Sequence, residues 1–264
     1  INLNHFFVTF GSIVIVVYLT YLQMDWREAV TQSAGVVLLL AIYFLAARLR
    51  PHDSGDRYLD RIKILARERA VIALFLLSVL VVGVEAASIG ILTTYLMDFH
   101  GFTQLTSKIA LTVYLVGVAA GRIAIGLFAR QDRIYTLLAA LLALAIFTFS
   151  ALFFVGLGDL TLAAVFLAGL ATSALLPLVL SLASLLFPAT AGTVMGTIKI
   201  AIPLGGIVIP FVMSLVSSSL SFQASLLVFP IALLLGLILI LTSRSSLAPA
   251  AELTGFEEVS SRAD

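Results

Sequence analysis

Three charged side chains lie within long apolar stretches of this 264-residue chain, where a charge costs about 2.5–3.5 kcal/mol or more at the centre of a bilayer. Glu85 lies near the middle of one stretch, and Ser78 and Ser88 share its helical face. A carboxylate that faces the interior of a helix bundle suits proton coupling or the binding of a polar solute. It suits equally well a structural bond to a donor on a neighbouring helix, and the sequence favours neither role. We take Glu85 and Ser88 as candidates for a substrate or proton site.

Lys199, the second charged side chain, lies in a stretch that contains several residues known to disturb helices. It shares one helical face with small residues and prolines: Thr193, Gly196, Pro203, Gly206 and Pro210. Interrupted helices are typical of transport sites, so Lys199 is a candidate for a solute or proton site, and Pro203 and Gly206 for a moving segment. The alternative is a lysine whose long side chain extends to the cytoplasmic interface.

Arg122, the third, lies in the segment GVAAGRIAIGLFARQDR. Gly117 and Gly121 are two small residues four apart, a spacing that lets a second helix approach closely. Arg122 and Arg130 flank what we predict to be the cytoplasmic end of this helix. There Arg122 can pair with carboxylates or carbonyls of a neighbouring helix end and hold one conformation. The alternative is a positively charged anchor and nothing more.

Two rows of small or polar side chains run along other apolar stretches. The first stretch carries one such row, Asn2, His5, Thr9 and Ser12, and Asn4 lies within the same segment. We take His5 and Asn4 as candidates for a substrate or proton site, but interhelical hydrogen bonds worth about 0.6 kcal/mol each explain the row equally well. A second row includes Ser173, a further candidate, and predicts a kink at its proline: Gly169, Ser173, Pro177, Ser181 and Ser184.

Motifs for catalysis and for metal binding are missing from the sequence. We find no HExxH, GxSxG, P-loop or GxGxxG pattern, and the Asp residues lie in loops and at the ends of apolar stretches. The chain has no cysteine, and His5, His52 and His100 are too scattered for a metal site. We therefore expect neither an enzyme nor a bound metal or cofactor.

The elements that must position these residues are transmembrane helices. Hydrophobic residues make up 61% of the chain and charged residues 11%, whereas soluble domains have about 45–50% and 25%. Eight apolar stretches are long enough to cross the ~30 Å hydrocarbon core as helices. They cover residues 3–23, 29–47, 71–96, 108–129, 135–156, 160–187, 192–217 and 222–243. We predict an all-α, polytopic membrane protein with eight transmembrane helices.

Basic residues indicate how these helices are oriented. Seven Lys or Arg residues lie in the segment 48–69, Arg130 and Arg133 follow the fourth stretch, and Arg244 follows the last one. Lys and Arg accumulate on the cytoplasmic side of a membrane. We therefore predict that these segments and the C-terminus are cytoplasmic, in a plasma or inner membrane.

The last six stretches resemble the C-terminal bundle of a major facilitator superfamily transporter, a fold in which two six-helix halves flank a cytoplasmic loop. Gly121-Arg122-x-x-x-Gly126, followed by Arg130-x-x-Arg133, resembles the superfamily signature between helices 8 and 9. The resemblance implies conformational roles for Gly121, Arg122, Gly126 and Arg130. It also implies four segments: the last two helices of an N-terminal bundle (1–50), a cytoplasmic linker (51–70), a C-terminal six-helix bundle (71–243) and a cytoplasmic tail (244–264).

Within the superfamily, the chain resembles the fucose permease-like branch. VVGVEAASIGILTTYL is similar to helix 7 of that branch, LGGIVIPFVMSLVS to its helix 11, and INLNHFF followed by Gly11 and Ser12 to its helix 5. The second of these matches adds Gly205, beside Gly206, to the candidates for a conformational role. The resemblance implies helices 5–12 of a transporter whose first four helices are missing here.

The same resemblance implies a function. We expect secondary active transport by alternating access, as proton-coupled symport of a sugar-like substrate, with Glu85 and the row around Ser173 lining the site. An exporter of another small organic solute is the alternative, as is a non-transporting scaffold if the chain is naturally this short. The expected partners are a small-molecule substrate, protons, the lipid bilayer and the missing N-terminal helices, and we expect no nucleic acid.

Overall fold

A computed structural model describes residues 2–21, 26–47, 65 and 67–247. Within these residues every regular element is a helix, which confirms the all-α prediction. Most of the predicted linker 51–70 and of the predicted tail 244–264 lies outside the described residues.

The helices follow the predicted apolar stretches closely. They are α1 (Asn2–Tyr21), α2 (Trp26–Ala46), α3 (Arg69–His100), α4 (Gln104–Phe128), α5 (Ile134–Phe154), α6 (Thr161–Thr172), α7 (Leu175–Leu186), α8 (Ala191–Lys199), α9 (Ala201–Ser219) and α10 (Val228–Thr242). One-turn helices at Phe222–Ser225 and Arg244–Leu247 flank α10.

Six helical segments of the described chain are long and apolar enough to cross a membrane: Arg69–His100, Gln104–Phe128, Gln131–Phe154, Gly158–Leu186, Pro188–Ser219 and Phe222–Thr242. Two shorter apolar segments, Phe6–Tyr18 and Val30–Ala46, lie within α1 and α2. The prediction of a polytopic helical membrane protein is therefore confirmed. Of the eight transmembrane helices predicted, six correspond to long spans and two to shorter apolar helices.

Three of the six spans are interrupted, each three or four residues before a proline, and the last of them breaks at Leu226–Leu227, before Pro230. One span breaks at Ser173, between α6 and α7, and another at Ile200, between α8 and α9. Proline has no N–H for the carbonyl four residues earlier, and its ring clashes with that carbonyl. Pro177 has this relation to Ser173, and Pro203 has it to Lys199. The kink predicted at Pro177 is therefore found about one turn earlier.

Glycines allow the closest helix contacts in the bundle. Gly83 on α3 meets Gly205 on α9, where a Cβ added to Gly83 would lie 2.7 Å from the Gly205 carbonyl oxygen. A Cβ added to Gly117 on α4 or to Gly169 on α6 would overlap the backbone of the partner helix. Small residues at such contacts let helix backbones approach closely, and α3 therefore packs on α9 while α4 packs on α6.

The two N-terminal helices differ in how they meet this bundle. α1 packs along α4 and also reaches α7. The side chains described on α2 are exposed from Arg27 to Ala46, and Tyr18 on α1 bonds Gln32 on α2. α1 is therefore the helix that can share a site with the six spans.

Candidate functional site

Glu85 and Arg122 form an ion pair deep in the bundle. Arg122 Nη2 donates to Glu85 Oε1 at 2.8 Å, and the two side chains are only 5% and 22% exposed respectively. Glu85 lies halfway along α3, about 23 Å from either end at the helical rise per residue. A buried charge without a partner is strongly destabilising, so each of these residues makes the other tolerable at this depth.

Arg122 also bonds two other parts of the molecule. Its Nε donates to the carbonyl oxygen of Ser173 at 2.8 Å, at the break between α6 and α7. Its Nη1 donates to the hydroxyl of Thr9 on α1. One guanidinium group thus connects α1, α3 and the interrupted span to α4. The fork of fixed N–H donors on an arginine suits such a junction, which the single ammonium of a lysine would not reproduce.

A second group of buried hydroxyls lies beside the ion pair. Tyr114 Oη lies 3.1 Å from Thr172 Oγ1 and also contacts Ser88. Ser88 itself donates to the carbonyl of Val84 at 2.7 Å. Because these three hydroxyls are buried and satisfied by one another or by the backbone, they support the interior around Glu85.

A cavity of about 350 Å³ opens beside the ion pair, between α1 and the six spans. This volume falls in the usual range for a small-molecule site, about 300–1,000 Å³. Its polar lining consists of Thr9, Ser12, Glu85 and Arg122. The remaining lining residues are apolar: Val8, Val82, Ala86, Ile89, Leu115, Leu176 and Ile202. The described lining therefore combines apolar walls with one ion pair and two hydroxyls.

Comparison with known families identifies the fold that carries this cavity. The sequence model of the Major Facilitator Superfamily matches residues 74–261. The chain belongs to the major facilitator superfamily. It is therefore a membrane transport protein and not an enzyme, as the sequence predicted.

Two solved structures of this superfamily resemble the chain. A crystal structure of a variant of the E. coli fucose:proton symporter FucP has a TM-score of 0.66 at 22% sequence identity, and the match covers 90% of this chain and 67% of that one. A structure of FucP in the outward conformation gives a TM-score of 0.65 at 23% identity and covers 90% and 66%. The chain thus spans about two thirds of the length of these transporters, and at such identities the likeness shows the fold. No curated protein sequence matches the chain.

The superfamily fold brings four of the predicted residues together. Glu85 and Arg122 form the pair, and Gly121 and Ser173 lie next to it, because a Cβ on Gly121 would overlap the Ser173 side chain. Ser173 Oγ is buried without a hydrogen-bond partner among the described residues. The carbonyl of Ser173, rather than its hydroxyl, is therefore the group that takes part in the site.

Four other candidates do not line the cavity. Lys199 is exposed and does not line it. Arg130 is exposed and donates to Asp132 at 3.2 Å within the turn after α4, and Gly126 is exposed in the last turn of α4. Pro203 is exposed near the start of α9.

Four further candidates differ in how far the structure describes them. A Cβ on Gly205 would overlap α3, whereas a Cβ on Gly206 would meet nothing within 4 Å. The side chains of Asn4 and His5 lie outside the described residues, so their roles stay predictions.

Sequence reasoning missed part of the polar interior. Tyr114 and Thr172 gave no signal, because isolated hydroxyls in apolar stretches usually bond within their own helix. Thr9 belongs to the polar row on α1, and that row was the available signal. What the sequence did not show was that Thr9 in this row accepts a hydrogen bond from Arg122 on another helix.

Proposed function

We propose that this protein is a secondary transporter in which Glu85 takes up and releases a proton while a small solute crosses by alternating access. The observation that carries the proposal is the buried ion pair of Glu85 and Arg122, which lines a cavity of small-molecule size. Ionisable residues within a membrane are typical of proton relays and substrate pathways.

The bonds of Arg122 indicate how a proton at Glu85 can affect the conformation. The ion pair joins α3 to α4, and the bond to Thr9 joins α4 to α1. Neutralising Glu85 removes the charge attraction on one side of Arg122 and leaves the other bonds in place. This changes the relative free energies of conformations that differ in the position of α1 against the six spans, as a coupled transporter requires.

A sugar-like substrate is the solute suggested by the resemblance to the fucose permease-like branch and by the similarity to a fucose:proton symporter. The second candidate is another small organic solute, imported or exported. The lining favours this second candidate, because apart from the ion pair and two hydroxyls the described walls are aliphatic and carry no aromatic ring. We further propose that the C-terminus is cytoplasmic and that segment 51–70 links two bundles in a plasma or inner membrane.

The decisive experiment uses the protein expressed from its complete gene and reconstituted in liposomes. Uptake of radiolabelled fucose, other monosaccharides, and small amphipathic amines and alcohols is measured with and without an inward proton gradient. We expect the gradient to drive accumulation of one of these classes. Glu85→Gln, which cannot exchange a proton, should abolish accumulation yet retain exchange of solute across the membrane.

Glu28→Gln is the matched control, since Glu28 is an exposed carboxylate on α2. Gradient-driven accumulation by Glu85→Gln at the wild-type level would rule out the coupling role. Folded protein that moves none of the solutes would instead favour the non-transporting scaffold.

A further inference from the structure

We infer that Pro177 positions Arg122 by giving it a backbone acceptor, the Ser173 carbonyl, which does not depend on the charge of Glu85. The inference concerns the same site as the proposed function and relies on it for the idea that Glu85 changes its charge. Pro177 acts through the backbone of the interrupted span, since it lacks the N–H that would bond the Ser173 carbonyl.

The chain geometry provides the first step. In an unbroken helix the carbonyl of residue 173 would accept from the N–H of residue 177, but Pro177 has no N–H. α6 ends at Thr172, α7 begins at Leu175, and the Ser173 carbonyl instead accepts from Arg122 Nε at 2.8 Å. A buried carbonyl without a donor is costly. Pro177 leaves the Ser173 carbonyl without its helical donor, and Arg122 donates to it instead.

Electrostatics provides the second step. The Ser173 carbonyl lies at the C-terminal end of α6, where the unpaired carbonyls of a helix carry partial negative charge and favour a cation. When a proton neutralises Glu85, Arg122 loses the charge of this ion-pair partner while it stays buried. The Ser173 carbonyl and the Thr9 hydroxyl remain as acceptors. Glu85 can then gain and lose its proton while the guanidinium stays in place.

The charged and titratable groups that face Glu85 in the described structure are few. Arg122 and Tyr114 come from α4, and Thr9 on α1 adds a hydroxyl to the same arginine. Arg122 must therefore keep its position when Glu85 changes its charge. Pro177 is the residue that fixes this position of Arg122.

The test measures the contact directly and requires no solute. Protein carrying ¹⁵Nε-arginine and ¹³C-carbonyl serine is reconstituted in lipid, and solid-state NMR measures the dipolar coupling between Arg122 Nε and the Ser173 carbonyl carbon. Arg122→Lys removes the signal and so assigns it. We expect the coupling in the wild-type protein and in Glu85→Gln, which imitates the protonated carboxyl group.

Pro177→Ala should abolish the coupling, because the new N–H of residue 177 restores the helical bond and turns the carbonyl away from Arg122. Exchange of the Arg122 Nε proton with water should also become about tenfold faster or more, as expected for the loss of one hydrogen bond to a charged group. Pro210→Ala is the matched control, since Pro210 lies inside α9, which continues through it, and it should leave both readings unchanged.

Two results would overturn the inference. One is loss of the coupling in Glu85→Gln alone, which would mean that the carbonyl does not hold Arg122 without the carboxylate. The other is an unchanged coupling in Pro177→Ala. The wild-type and Glu85→Gln measurements can still overturn the inference if Pro177→Ala does not fold. Since none of these readings depends on transport, the inference and the proposed function can fail separately.

Discussion

Glu85 Oε1 accepts a hydrogen bond from Arg122 Nη2 at 2.8 Å, and Glu85 lies halfway along α3, the longest helix described. Two charges that would each be costly there are tolerated because they are paired and because Arg122 has further acceptors in Ser173 and Thr9. Breaking such a pair by removing one partner is far more costly than replacing both. The stability of the fold and the chemistry of the cavity therefore depend on the same contact.

Arg122→Ala should destabilise the folded protein by about 3–5 kcal/mol, because Glu85 is left as a buried carboxylate without a partner. The double variant Arg122→Ala with Glu85→Ala should lose less stability than Arg122→Ala does. Denaturant unfolding in detergent micelles, followed by circular dichroism, measures both effects. Arg130→Ala is the control: it removes only the exposed pair with Asp132, worth about 0–1 kcal/mol. A double variant less stable than the single one would contradict this account of the pair.

The positions of the spans could be predicted from the sequence because each depends on one local property, a run of apolar residues. The predicted stretch 71–96 corresponds to the helix Arg69–His100, and 222–243 to Phe222–Thr242. The presence of Glu85 within a span was equally visible, since a charge in an apolar run needs no knowledge of the fold. The resemblance to the superfamily was also visible in the sequence, and the family match confirmed that membership.

The partners of Arg122 could not be predicted in the same way. Its spacing after Gly121 shows that a helix approaches there, but not that the Ser173 carbonyl becomes available at that depth. Whether the Ser173 carbonyl can accept from Arg122 depends on the effect of Pro177 on the backbone one turn earlier. It also depends on the rotation of α4 against α6. Lys199 shows the opposite case, in which the sequence indicated how the backbone behaves but not where the side chain lies. The breakers around it do interrupt the span, yet the side chain itself is exposed and does not line the described cavity.

Gly83→Ala should destabilise the contact between α3 and α9. The added methyl group would lie 2.7 Å from the Gly205 carbonyl oxygen and overlap Ile209, and overpacking of this kind costs about 1–3 kcal/mol. Thermal unfolding of the purified protein measures the loss. Gly90→Ala is a control in the same helix, because a Cβ there meets nothing within 4 Å and alanine is the better helix former. Equal unfolding temperatures for the two variants would show that the close approach does not limit stability.

Tyr95→Phe should weaken the packing of α3 on α5. Tyr95 Oη donates to the Leu152 carbonyl at 2.7 Å and lies 3.0 Å from His100 Nε2, so the variant leaves a buried carbonyl without its donor. We expect a loss of about 1–3 kcal/mol in the free energy of unfolding, measured by denaturant titration. Tyr43→Phe, which removes an exposed hydroxyl on α2, should have no measurable effect, and a similar loss in both variants would contradict the assignment.

Thr9→Val should loosen α1 from the six spans while keeping the shape of the side chain. The valine removes the hydroxyl that accepts from Arg122 Nη1, and losing a hydrogen bond to a charged group costs about 1.5–3 kcal/mol. Because the chain has no cysteine, single cysteines can be placed on the exposed faces of α1 and α4 for spin labels. The distance distribution between the labels should broaden in Thr9→Val.

Thr9→Ser keeps the hydroxyl and loses only a methyl group, so it separates the hydrogen bond from the packing. Its label distances should match those of the wild-type protein. If Thr9→Ser broadens the distribution as much as Thr9→Val does, α1 is held by apolar packing along α4, and the bond from Arg122 is not what joins it to the bundle. If Thr9→Val alone broadens it, Arg122 transmits to α1 the changes in charge that occur at Glu85.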